Sequence, residues 1–237
     1  MIDNYMNSPD SPHPPNFAQN VFTEGIAYSE TGQESIWGKE SPLTLKVLQS
    51  ALGNGGKWLH LAAGDGRYNN EIARFADMVF ATDIDKSALR KLKRNTPKDL
   101  INKVETFQQN LIEKFPLETD IIDGIFSAGT LHLFPESVFN NIASEISRVM
   151  KVGGVMVIEF RVDIKRTNTQ TGELIKFGDE PLYNREQAIA AITKAFPNFD
   201  IQFADGDQVS ETFDKANPPL RFSCNNLLVT ATKHRNI

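Results

Sequence analysis

Apolar positions along this chain change period several times. Between residues 57 and 161, short apolar runs alternate with stretches in which apolar residues return every three or four positions. Lys57–Leu61 reads as a strand, and residues 67–76 put Ile72, Phe75 and Ala76 on one helical face. Residues 78–82 form a second apolar run, and residues 86–95 a helix closed by Pro97. Strands at 104–108, 121–127 and 153–161 follow, with a helix over 135–150 between the last two. This spacing predicts a parallel sheet covered by helices on both faces. The order then changes: a helix at 184–196 precedes two strands, 199–203 and 226–232, with no helix between them, so the two should pair antiparallel. Ahead of the alternation, Ser41-Pro42 starts a helix carrying Leu43, Val47, Leu48 and Leu52, and Gly53-Asn54-Gly55-Gly56 ends it.

The flanks differ. Residues 1–16 hold four of the prolines and little apolar surface, and are expected to be a mobile arm. Residues 17–237 then form one domain, with Phe22, Tyr28 and Trp37 in irregular structure packed against it. Between the fifth strand and the helix at 184 lies an insertion, residues 163–183, too long for a plain connection. It reads as two short extended runs around a turn, placed to act as a lid over the carboxyl end of the fifth strand. Of 237 residues, 40% are hydrophobic and 23% charged, which suits a globular core. One cysteine, Cys224, excludes a disulfide framework, and the four histidines (His13, His60, His132, His234) lack metal-ligand spacing, so no metal is expected. The net charge of −5 disfavours nucleic acid as a partner. Without a membrane span or a leader-like start, a cytoplasmic location is expected.

The sharpest chemical feature is Leu59-His60-Leu61-Ala62-Ala63-Gly64-Asp65-Gly66-Arg67, with Asp83 ending the next strand. In an open α/β sheet, ligands bind beyond the carboxyl ends of the strands, where strand order reverses. Glycines there admit close backbone approach, and an aspartate one strand over can accept hydrogen bonds from the two hydroxyls of a ribose. Together they point to a nucleoside cofactor. A dinucleotide fingerprint wants a third glycine where this chain has Asn69, which disfavours a nicotinamide oxidoreductase.

With these motifs the chain resembles the class I S-adenosylmethionine-dependent methyltransferases, well over about residues 40–160. Trp58 to Gly66 is similar to the family's first strand and glycine loop, Asp83 to its ribose-binding acid, and Asn110-Leu111 to its adenine-side position. Residues 122–127 resemble its fourth strand, residues 130–133 the segment after it, and residues 149–154 the turn into strand five. The resemblance implies a Rossmann-like, doubly wound seven-stranded sheet of order 3-2-1-4-5-7-6 with the last strand antiparallel. It also implies S-adenosylmethionine contacts from His60, Ala62, Gly64, Gly66, Asp83, Ile84, Asn110, Leu111 and Ser127. His60 stands where the family has an acid, Ala62 where it has the first loop glycine, and Asn110 where it usually has Asp; Ala62 fits if its φ is negative.

Methyl transfer from a sulfonium is an in-line displacement, so positioning and water exclusion do most of the work. His132, just beyond strand four, is the candidate general base. Glu159, Arg161 and Asp163 are candidates to bind a polar acceptor; Arg161, Lys165 and Arg166 are the substrate-side basic residues, and Lys165 and Arg166, on the lid, favour an acceptor with a carboxylate or phosphate. Asn217-Pro218-Pro219-Leu220 is read as a turn, and the basic run Lys86, Arg90, Lys91, Lys93, Arg94 and Lys98 as a solvated helix face. The expected function is methyl transfer to a small-molecule acceptor. The alternatives are a catalytically degenerate cofactor-binding or scaffolding protein of the same fold, and a methyltransferase acting on protein or RNA. The oligomeric state and the acceptor atom stay open.

Overall fold

The structure, a computed structural model, describes residues 28–176, 180–214 and 218–235. The arm expected over residues 1–16 lies outside them. The elements run α1 (Pro42–Ala51), β1 (Lys57–Leu61), α2 (Asn69–Phe75), β2 (Met78–Asp83), α3 (Lys86–Asn95), β3 (Val104–Gln108), β4 (Ile122–Ala128), α4 (Glu136–Val149), β5 (Met150–Asn168), α5 (Arg185–Ala195), β6 (Phe199–Phe213) and β7 (Leu220–Lys233). They form a seven-stranded sheet of order β3-β2-β1-β4-β5-β7-β6, as the resemblance implies. β1 to β5 pair parallel, and β7 lies antiparallel between β5 and β6.

Local chemistry explains the helix boundaries. Pro42 starts α1 at its first turn, the Asp85 carboxylate accepts from the Ser87 amide at the start of α3, and Asn184 with Gln187 closes a reciprocal capping box on α5. Alternation along the strands divides the core in two. Leu59, Leu61, Ile125, Met156 and Ile158 pack under α4 and α5, while Trp58, Val79, Ala81, Phe126 and Val157 pack under α1, α2 and α3. Trp58 lies flat against Gly124 on β4, where a Cβ would sit 2.3–2.5 Å from the indole.

The last three strands are far longer than their apolar patterns predict. β5 begins at Met150 and continues to Asn168, β6 reaches Phe213, and β7 starts at Leu220. The pattern fades because these segments leave the helix-covered layers; backbone pairing continues, and it does not depend on which side chains the strands carry. A β-bulge marks each departure, between Val162 and Lys165 on β5 and between Asp205 and Gln208 on β6. The result is a three-stranded ribbon rising past the carboxyl end of β4. The insertion therefore begins as β5 itself. It turns after Asn168, returns with Leu174 bridged to Thr167, and reaches Tyr183, whose carbonyl accepts from the Asp163 amide at 2.9 Å. The segment starts from the carboxyl side of the sheet, and residues 177–179 lie outside the described set. Among the described residues, no helix is long and apolar enough to cross a membrane, and no group of three His, Cys, Asp or Glu side chains could hold a metal.

Candidate active site

Strand order reverses between β1 and β4, so the crevice opens between the loop after β1 and the loop after β4. Asp83 closes one side. Its Oδ2 accepts from the Gly64 amide at 2.8 Å and its Oδ1 from the Asp85 amide at 2.9 Å. Burial nevertheless pushes this carboxyl above its ordinary pKa. Backbone amides thus fix the carboxylate, and the acceptor sites of a carboxylate leave capacity for a hydroxyl donor. Next to it, Ile84 is half-buried and its carbonyl accepts from Gln108 Nε2 at 2.8 Å. Asn110 and Leu111 follow β3, with Leu111 buried and the Asn110 side chain half-buried.

The loop itself departs from what the sequence suggests in two ways. Ala62 has φ +50°, not a negative φ, and sits in the left-handed region that favours glycine. The glycines have their reasons inside the protein. At Gly66, φ +94°, a Cβ would sit 2.8 Å from Leu92 Cγ of α3; at Gly64, φ +54°, it would sit 3.4 Å from Trp37 Nε1. Ala62→Gly should raise stability by about 1 kcal/mol, the left-handed cost removed less the extra freedom glycine gives the unfolded chain. Thermal unfolding of the variant checks this; a lowered Tm contradicts it.

Trp37 is a site residue that sequence reasoning missed. Residues 33–37 are strapped over the glycine loop. Asp65, at the centre of that loop, is buried, forms an ion pair with Lys91 Nζ of α3 at 2.8 Å and accepts from Ser35 Oγ and the Ile36 amide. Lys91 also donates to the Glu34 carbonyl, and Arg67 to the Trp37 carbonyl. Lys91 is therefore an exception to the solvated face expected of the basic helix. The available signal was an aspartate between two glycines with a lysine on the second helix after it.

His60 is buried beside Phe126, its ring centroid 5.3 Å away, with Nδ1 3.4 Å from Asn69 Oδ1. Burial lowers its pKa to about 4, so the imidazole is neutral where the family carries an acid. The negative charge on this face of the sheet comes from Glu159 instead. That carboxylate accepts from Thr44 Oγ1 at 2.5 Å and from the Tyr68 hydroxyl at 3.4 Å, and pairs with Arg67 at 3.8 Å. Burial and then Glu159 push the Tyr68 phenol up to about 12. Glu159 is thus committed to α1 and α2, not open to an acceptor as its position at the end of the strand suggests. Asp163 sits in the β5 bulge at φ +54° and accepts from Asn225 Nδ2 at 3.3 Å.

On the β4 side, Ser127 Oγ and His132 Nδ1 are buried without a hydrogen-bond partner. His132 lies in a 3-10 turn, edge-on to Phe160 at 6.0 Å. Burial and then the guanidinium charges of Arg161 and Arg166 hold its pKa well below the ordinary imidazole value. The bulge after Val162 decides the basic residues. Arg161 pairs with Asn226 and Arg166 with Phe222, which places both on one face of the ribbon; Lys165, opposite Ser223, is on the other face and exposed. The structure separates Lys165 from the two arginines with which its sequence position groups it.

An open mixed sheet with this strand order and an antiparallel β7, a glycine loop at the reversal and an acid one strand over define a Rossmann-like methyltransferase fold. Residues 59–158 match the family described as a methyltransferase domain. An uncharacterised methyltransferase of Synechocystis is 27% identical over 132 residues, 56% of this chain and 58% of that protein. Among solved structures, the YcgJ protein of Bacillus subtilis superposes with a TM-score of 0.59 at 10% identity, over 81% of this chain and 99% of that one. Geranyl diphosphate C-methyltransferase of Streptomyces coelicolor, in complex with Mg2+, geranyl diphosphate and S-adenosyl-L-homocysteine, superposes at 0.54 with 14% identity, over 80% and 78%. Over residues 59–158 the chain is similar to methyltransferase domains, and its fold is that of the Rossmann-like methyltransferases. It aligns with a little over half the length of its curated relative.

Proposed function

We propose that this protein transfers a methyl group from S-adenosylmethionine to a small-molecule acceptor. The observation that carries the reading is Asp83, fixed by two backbone amides at the edge of the crevice and left with acceptor capacity for a ribose. In this reading Asp83 holds the ribose, Ile84 and Leu111 flank the adenine, and Asn110 accepts from its amino group. The loop from His60 through Ala62 and Gly64 to Gly66 carries the methionine end, and Ser127 lines the floor of the crevice. The buried, unpartnered Ser127 Oγ and His132 Nδ1 suit a polar group arriving at the end of β4. The cofactor supplies an electrophilic methyl on a leaving group that is already positive. The protein's part is to orient the acceptor, exclude water and, where the acceptor must lose a proton, accept it at His132 Nδ1.

Calorimetry tests the assignment. Asp83→Ala should weaken S-adenosylmethionine by about 1.5–3 kcal/mol, roughly 10- to 150-fold, the range for hydrogen bonds to a charged group. An unchanged affinity, or no binding to the intact protein, overturns it.

A further inference from the structure

We propose that Arg161 and Asn226, beside the Phe222 ring, form the oxyanion subsite for the methyl acceptor, taking a small molecule that carries a carboxylate or phosphate with a hydroxyl or amine next to it. This rests on the methyl-transfer reading of the crevice and names the class of its acceptor.

Four observations converge on it. First, Arg161 has no counter-ion among the described residues. Among the described residues, no carboxylate lies within ion-pair distance of it, and its buried Nε has no acceptor. Two nearby carboxylates are committed elsewhere, and Glu211, opposite Phe222 on β6, is exposed. Glu180 takes two hydrogen bonds from Arg166, at 2.6 and 3.1 Å, while Glu159 serves Thr44, Tyr68 and Arg67. An oxyanion is the natural partner for a guanidinium left in that state. Second, Asn226 stands directly opposite Arg161 on β7, is 4% exposed, and its Oδ1 has no donor. A buried donor and a buried acceptor, facing across one pair of strands and each unpaired, require a ligand or water that offers both polarities. An oxyanion with an adjacent hydroxyl or amine does so.

Third, the Arg161 guanidinium lies 5.7 Å from the Phe222 ring centroid, with Arg166 on the same ring at 5.5 Å. The stacking holds the planar fork in place, so less freedom is lost when an anion binds. Fourth, the fork reaches the crevice. Arg161 Nη2 lies 3.4 Å from where a Cβ on Gly129 would stand, directly after β4. His132, the candidate base, follows three residues later. An anion on Arg161 also offsets one of the two positive charges that add to burial in keeping His132 neutral, so the acceptor itself would make that imidazole a better proton acceptor. The β5 bulge is the device that permits all of this, because without it Arg161 and Arg166 would face opposite sides.

The test titrates inorganic phosphate and, separately, acetate into the full-length protein, with and without S-adenosylhomocysteine, and follows binding by calorimetry. Phosphate or acetate should bind the wild type. Arg161→Gln should weaken that binding at least tenfold, and Arg161→Lys, which keeps charge and stem but loses Nε–H, by at least threefold. Lys165→Gln, on the opposite face, should stay within twofold. S-adenosylhomocysteine affinity should be the same in all four proteins. The proposal is overturned if neither anion binds the wild type, if Arg161→Gln and Arg161→Lys bind as well as wild type, or if Lys165→Gln loses as much. It is also overturned if the Arg161 variants lose S-adenosylhomocysteine in parallel, which would put Arg161 on the cofactor. Anion binding with the predicted variant pattern but no S-adenosylhomocysteine binding to any form leaves the anion subsite standing and removes the cofactor reading alone.

Discussion

Lys91→Met should lower the free energy of unfolding by about 3–5 kcal/mol, the usual cost of removing one partner from a buried ion pair. Both side chains are essentially inaccessible, at 1% for Lys91 and 0% for Asp65. Removing the ammonium leaves the Asp65 carboxylate with only Ser35 Oγ and the Ile36 amide. Part of the loss would appear locally. Lys91 also fastens the Glu34 carbonyl, so the strap that carries Trp37 should loosen from the glycine loop. Urea unfolding followed by far-UV circular dichroism gives the global value. A loss below about 1 kcal/mol would mean that Asp65 is solvated in solution and that the strap is not fastened there.

Acid should weaken the protein through its buried histidines, and the sign follows from His60. Its folded pKa, about 4, lies below the ordinary 6.5, so between those values the unfolded chain binds the proton and the folded one does not. Stability from this group is complete above pH 6.5, declines as pH falls, and bottoms out near pH 4 after a loss of about 3 kcal/mol. His132 shifts in the same direction. Asp83, whose carboxyl burial raises, contributes the opposite slope. The clean readout is therefore the difference between wild type and His60→Gln in denaturant titrations from pH 7.5 to 4.5. The wild type should lose its advantage steadily below pH 6.5, and a pH-independent difference would contradict a neutral, buried His60.

How much of this was legible beforehand depended on which interactions write themselves into local pattern. β1 to β4 and the helices between them were legible because each buries a face, and burial imposes periodicity. The long ends of β5, β6 and β7 were not, because a ribbon outside the helix layers is held by its backbone ladder and tolerates Asp205, Arg221 and Ser223 alike. Asp83 and the glycine loop could be located from their place at strand ends. What those glycines accommodate could not, since Leu92 and Trp37 come from elsewhere in the chain. Nor could the sequence show the commitment of Glu159 to Thr44 and Tyr68, or the bulge that parts Lys165 from Arg166; both depend on register across strands. Ala62 shows the limit of residue identity, because its left-handed φ is imposed by the turn around it.

The most direct test of the account is a crystal structure of the protein grown with S-adenosylhomocysteine. It should show one nucleoside in the crevice between the loops after β1 and β4, both ribose hydroxyls on the Asp83 carboxylate, the adenine beside Asn110 and Leu111, and the sulfur facing Gly129 and Arg161. A nucleoside bound elsewhere, or a ribose that does not touch Asp83, would contradict it.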